Sequence, residues 1–222
     1  MGKIIFRKDL YADIRTERRF TTQIGIVNGE IKQATELDTD QAFIRVFDGE
    51  MWYYSSVSET DNLQEELDAL YAFAKPNENV FSHPVVEAFE VNRDKIIRFA
   101  DCCVDKVPLK EKAEFLTASL PLFKTPHSTV ISAAYLDRYS HFKFISAKGA
   151  DIEFDYQTAG YSVSVQLADG EKNFANNFAD CKLAFNELSI DEAKVKEFTD
   201  ETENFLMNAK PLEKAGNYPV IL

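Results

Sequence analysis

Residues 20–37 read F-T-T-Q-I-G-I-V-N-G-E-I-K-Q-A-T-E-L, two alternating stretches joined by Asn28-Gly29. Both residues of a two-residue hairpin turn need positive φ, which Asn and Gly tolerate best, so the stretch predicts a β-hairpin. Working outward, Y-A-D-I-R-T-E-R (11–18) alternates as well. On the other side, Q-A-F-I-R-V-F (41–47) meets Asp48-Gly49 and returns as E-M-W-Y-Y-S-S, a second hairpin. A helix is expected over 61–74. Asp61 and Gln64 have capping-box spacing, Leu63, Leu67, Leu70, Tyr71 and Ala74 share a face, and Pro76 ends the run.

The loop K-P-N-E-N-V-F-S-H-P (75–84) is the best boundary in the chain. Beyond it the style repeats. Leu109, Ala113, Leu116 and Leu120 form a helical stripe after Pro108. Strands are expected over 128–136, 141–147, 151–156 and 161–168, with turns at Lys148-Gly149 and Asp169-Gly170. Ser189 and Glu192 have capping-box spacing before a last helix lined by Val195, Phe198, Phe205, Leu206 and Ala209. At the end, Gly216 and Pro219 bound a helix, and Val220, Ile221 and Leu222 read as the start of a buried strand. The expectation is an α+β chain of two small domains, 1–78 and 79–222, each built from antiparallel hairpins with helices on one face.

Composition sets further limits. The chain has 222 residues, 45% of them hydrophobic, and a net charge of −12 spread over both halves. Nucleic-acid binding needs phosphate-neutralising charge, so no direct nucleic-acid partner is expected. No run approaches the ~20 apolar residues of a membrane span, and no apolar signal region follows the N-terminal charges, so a cytoplasmic protein without membrane contact is expected. Cys102, Cys103 and Cys181 form neither a spaced disulfide framework nor a C-x-x-C pair. Cys102 and Cys103 read as one buried and one half-exposed thiol.

Chemistry-bearing patterns are sparse. His83, His127 and His141 lie outside any metal-binding spacing and read as surface or structural residues. Gly-rich phosphate loops and the G-x-S-x-G elbow are absent from the sequence. Asp151, Glu153 and Asp155 would share one face of a strand, either as a cation or carboxylate site or as the charged face of an edge strand, with Ile152, Phe154 and Tyr156 toward the core. Phe43, Phe47, Trp52, Tyr53 and Tyr54 gather on one hairpin, with Trp52 and Tyr54 facing opposite to Tyr53. They form either a core against the helix at 61–74 or a peptide-binding platform. No self-contained catalytic site is visible, and no catalytic, cofactor-binding or metal-binding residue is assigned.

In order, Y-A-D-I-R-T-E-R-R (11–19), I-G-I-V-N-G-E-I-K-Q-A (24–34), I-R-V-F-D-G-E-M-W (44–52), V-P-L-K-E-K (107–112), F-I-S-A-K-G (144–149) and A-G-N-Y-P-V-I-L (215–222) are similar to segments of one family. The chain resembles the N-terminal and central region of the TldD/PmbA (TldD/TldE) metallopeptidases, also called modulators of DNA gyrase. Tyr53 and Tyr54 depart from that family's usual Gly-Phe, Ala147 from its serine, and only ten residues precede Tyr11, where the family has a helix. The resemblance implies a non-catalytic region that helps enclose and position peptide or unfolded-protein substrates. It also implies a homo- or heterodimer with a family paralogue. Zinc is expected only in a C-terminal domain with a His-Glu-x-x-x-His motif, which this sequence lacks, and Leu222 would then fall at a domain border. A free-standing peptide- or protein-binding domain is the alternative reading.

Overall fold

The computed structural model of the chain describes residues 4–210 and 216–217; the expected strand at 220–222 lies outside them. Seven strands form one sheet: β1 (Tyr11–Val27), β2 (Glu30–Phe47), β3 (Trp52–Val57), β4 (Arg93–Ile96), β5 (Ser128–Ser146), β6 (Asp151–Asp169) and β7 (Lys172–Lys182). The order is β3-β2-β1-β5-β6-β4, with β7 also on β6. Every pairing is antiparallel except β4 with β6. Among the described residues four α-helices complete the α+β fold: α1 (Leu63–Tyr71), α2 (Pro84–Glu87), α3 (Leu109–Ser119) and α4 (Glu192–Asn208).

The turn chemistry behaves as the sequence demands. Asn28 and Gly29 take φ of 49° and 83°, and Gly49, Gly149 and Gly170 also have positive φ. The strands, however, are longer than the alternation indicates: 11–18 and 20–27 fuse into β1, and the two pieces expected within each of β5 and β6 fuse as well. The segments 1–78 and 79–222 share this sheet, because β1 pairs with β5 from Asp13–Ser146 to Val27–Ser132.

One sheet face carries the three longer helices. Ala12, Ile14, Ile44 and Val46 pack with Leu63, Leu67 and Leu70 of α1. Further along the same face, Phe20, Ile24, Tyr135, Tyr161 and Val163 pack with Leu116 of α3 and Val195 and Leu206 of α4. Between the two apolar clusters runs a polar belt where Arg18 pairs with Asp38 and Asp105, and His141 with Glu153. A fully buried network sits in the larger cluster. Lys112 Nζ lies 2.8 Å from Asp137 and donates to Thr22 Oγ1 at 2.7 Å, while Tyr135 Oη and the Thr22 N–H donate to Asp137. A buried charge is tolerable only with such complete pairing.

Among the described residues the opposite face is bare except at one end. There Tyr11 and Phe47 pack under Val80 and Val86, with Trp52, Phe81 and Phe89 alongside. Lys148 Nζ holds this cover down by donating to the carbonyls of Val86, Glu87 and Phe89.

Helix starts shift from the expected caps. Asn62, not Asp61, precedes α1 and makes no side-chain cap; Gln64 instead exchanges hydrogen bonds with the Ile5 backbone. Asp191, not Ser189, caps α4, accepting from the Ala193 and Lys194 N–H groups. The strand β4, R-D-K-I, shows no apolar alternation, and so escapes sequence reading.

Candidate functional site

The bare face of the sheet holds a concavity. Facing residues come from five strands in register: Arg15 and Glu17 of β1, Gln41 and Phe43 of β2, Ser56 of β3, Phe142 and Phe144 of β5 and Phe154 of β6. Together they line a groove of about 520 Å³. Phe142 and Phe154 stack with ring centroids 4.9 Å apart, and Phe43 stacks on Tyr54 at 5.7 Å. The Arg15 guanidinium lies 5.4 Å from the Phe144 ring centre, a cation–π arrangement.

Glu17 in the groove wall and Asp13 further along the same sheet face each centre an acid–base cluster. Glu17 accepts from Arg19, Gln41 and Ser140, and although burial pushes its pKa up, these donors hold it below the usual carboxylate range. Beside the covered end, the fully buried Asp13 accepts from Tyr11 Oη and from Arg45 Nε and Nη2. Arg45 in turn lies 4.7 Å over Trp52. Both clusters are internally satisfied, so they shape the groove and leave its aromatic rings as the free surface.

The acids singled out in the sequence do share one strand face, but each is engaged. Asp155 is buried and accepts from the Arg98 and Phe99 N–H groups, Glu153 pairs with Lys95 and His141, and the exposed Asp151 is 3.8 Å from Lys143. They face the helix side and line neither a carboxylate pair nor an edge, because β4 pairs alongside. Their alternates, expected in the core, point to the bare face: Phe154 is 41% and Tyr156 50% exposed. Alternation gives two sets of side chains without saying which is buried.

The hairpin aromatics divide. Tyr53 packs toward α1, whereas Trp52 lies under residues 80–89 and Tyr54 stays exposed beside the groove. The remaining candidates are structural. His83 Nδ1 accepts from the Val85 N–H, and His127 pairs with Glu203 at 2.7 Å. Cys103 is buried, with its thiol pushed up to about 12 by desolvation, and Cys102 is half-buried. A second concavity in the polar belt, of about 300 Å³, is lined by Arg18, Lys95, Tyr139, His141 and Glu153, already paired or packed. Among the described residues no three His, Cys, Asp or Glu side chains are placed to hold a metal ion.

The geometry agrees with comparisons to known proteins. Residues 12–74 match the family model for PmbA/TldA metallopeptidase domain 1. This segment is similar to the first domain of the PmbA/TldA metallopeptidases. It spans β1 to α1, including both hairpin turns and the β2 side of the groove. No curated protein matches the sequence. Among solved structures, the chain is similar to a candidate modulator of a DNA gyrase from Thermotoga maritima (TM-score 0.70, 13% identity, 91% of this chain and 46% of that one). It is also similar to another from Bacteroides thetaiotaomicron (TM-score 0.62, 12% identity, 85% and 45%). A third similar structure is TldE from Thermococcus kodakarensis (TM-score 0.62, 12% identity, 89% and 44%). The chain thus spans somewhat under half the length of these proteins, and the shared fold runs past the PmbA/TldD-type domain into the residues that follow it. Among the described residues no helix is long and apolar enough to cross a membrane.

Proposed function

We propose that this chain is a non-catalytic region of a TldD/PmbA-type peptidase subunit, and that its bare sheet face holds extended peptides for cleavage elsewhere in the assembled enzyme. The observation that carries this reading is the groove itself. Phe43, Phe142, Phe144 and Phe154, from three strands, line a concavity of about 520 Å³ on the face opposite α1, α3 and α4. Aromatic rings bind chains of varied sequence, because they offer large rigid contact area at low entropic cost. Zinc, supplied by a region with the His-Glu-x-x-x-His motif, would provide the hydrolytic chemistry. The residues described here bind, orient and shield. A cytoplasmic two-subunit assembly with a family paralogue completes the proposal.

The test is fluorescence anisotropy with a labelled unstructured peptide rich in Leu and Phe, against this chain and its Phe142→Ala/Phe154→Ala variant. The reading expects binding that weakens about tenfold in the variant, in line with the loss of two aromatic anchors. Equal binding by both proteins would overturn the groove's role. Cleavage of the peptide by this chain alone would overturn the non-catalytic assignment.

A further inference from the structure

Arg15, Arg19 and Arg45 all stand on the bare face of β1 and β2, and two of the three are engaged with carboxylates. Arg19 is held by Glu17 at 2.8 Å, and Arg45 donates from two nitrogens to the buried Asp13. Arg15 lies between these pairs, two positions from Glu17 and two from Asp13, so both nearby carboxylates are already taken. Among the described residues Arg15 has no hydrogen-bond or ion-pair partner, and it is exposed in the groove.

Its surroundings suit an anion. Phe43 of β2 and Phe144 of β5 are its direct cross-strand neighbours, and the guanidinium lies 5.4 Å from the centre of the Phe144 ring. Stacking on a ring restrains the guanidinium without using its N–H donors, which stay arranged as a fork that fits a carboxylate in a bidentate way. Aromatic walls also reduce the screening of an ion pair formed between them. The floor adds a second restriction. β1 is paired with both β2 and β5, and β5 with both β1 and β6, so the backbone groups of these two strands are committed to the sheet. A ligand that fits here brings apolar surface for the rings and an anion for Arg15, with few amides of its own.

The end of a peptide chain meets these demands. Its α-carboxylate and its last side chain hang from one carbon, so ion and apolar group enter together and no amide follows them. An acidic side chain inside a peptide would bring amides on both sides against the aromatic walls, where they would lose water without gaining a partner. We propose that the groove selects peptides by their free C-terminus, with the terminal carboxylate on the Arg15 guanidinium and an apolar last residue against Phe43 and Phe144. This selection rests on the proposed peptide role of the groove and specifies which part of the peptide is held there.

The experiment is fluorescence anisotropy with one Leu- and Phe-rich peptide, labelled at its N-terminus and made in three forms. One has a free C-terminal carboxylate, one a C-terminal amide, and one that amide with a central Glu. Against the whole chain, the acid should bind about tenfold tighter than either amide, as a bidentate ion pair in an aromatic groove allows. In Arg15→Gln the acid should fall to the level of the plain amide. Arg15→Lys should keep only part of the preference, because lysine offers charge without the fork. Equal binding of acid and plain amide to the parent chain, a preference that survives Arg15→Gln, or equal losses for both peptides in that variant would each overturn the inference. A Glu-bearing amide that binds as tightly as the acid overturns the C-terminal assignment. If acid and amide bind alike and both weaken in Phe142→Ala/Phe154→Ala, the proposed function stands and the C-terminal selection alone fails. Binding of none of the three peptides fails both.

Discussion

The same strands build two unlike faces. Along β6, Asp155, Gln157, Ala159, Tyr161, Val163 and Val165 are buried under helices, while Phe154, Tyr156 and their successors look out from the bare face. The helix-bearing face even buries ions, Lys112 and Asp137, at complete pairing. The bare face leaves aromatic rings partly in contact with water, with Phe142 stacked on Phe154 and Phe43 on Tyr54. An apolar surface left open at a cost in solvation calls for a partner, whereas an ion pair sunk in a core calls for none. The first face buries its side chains under helices; the second leaves part of its aromatic surface open.

Breaking the covered face should be the more damaging change. Lys112→Met leaves Asp137 buried with only neutral donors, and urea unfolding should show a loss of about 3–5 kcal/mol. A loss under about 1 kcal/mol would mean that Asp137 does not rely on the lysine. Gly49→Ala comes next: φ is +103° and a Cβ would collide with Asn77 Nδ2, so thermal unfolding should report a loss of about 1–3 kcal/mol.

Asp48 gives the pH test at the junction of the faces. Burial raises its pKa, but the N–H groups of Met51, Glu50 and Lys75 and the Tyr53 hydroxyl together hold it below 3.8. Its folded pKa is depressed, so its contribution is present above the unfolded value and fades as pH falls through the folded one. The Asp48→Asn variant should therefore lose stability less steeply than the parent below about pH 4, as followed by denaturation at stepped pH. Parallel curves would remove Asp48 from the account. The smallest effect on stability belongs to the bare face: Phe142→Ala/Phe154→Ala should cost only about 1 kcal/mol, the worth of an exposed stacked pair.

Much of this architecture is legible in the sequence where chemistry is local. Asn28-Gly29 and Asp48-Gly49 announce their hairpins, and the stripe Leu63, Leu67, Leu70 announces α1. Strand lengths were harder to read, because polar residues such as Arg15 to Arg19 interrupt alternation where the sheet crosses the belt between its two apolar clusters. The groove was hardest. Phe43, Phe142 and Phe154 come from three strands up to 111 positions apart in sequence, and nothing local tells which alternating set a helix will cover. The register does, since Phe142 lies opposite both Glu17 and Phe154, but register is a property of the assembled sheet.

The most direct test of the two-face account is photo-cross-linking. A Leu- and Phe-rich peptide bearing a benzophenone would be irradiated with the chain and the adducts located by mass spectrometry. The account expects adducts at the groove, on Phe43, Ser56, Phe142, Phe144 or Phe154, and their suppression by unlabelled peptide. Adducts concentrated on α1, α3 or α4, or insensitive to competition, would contradict it.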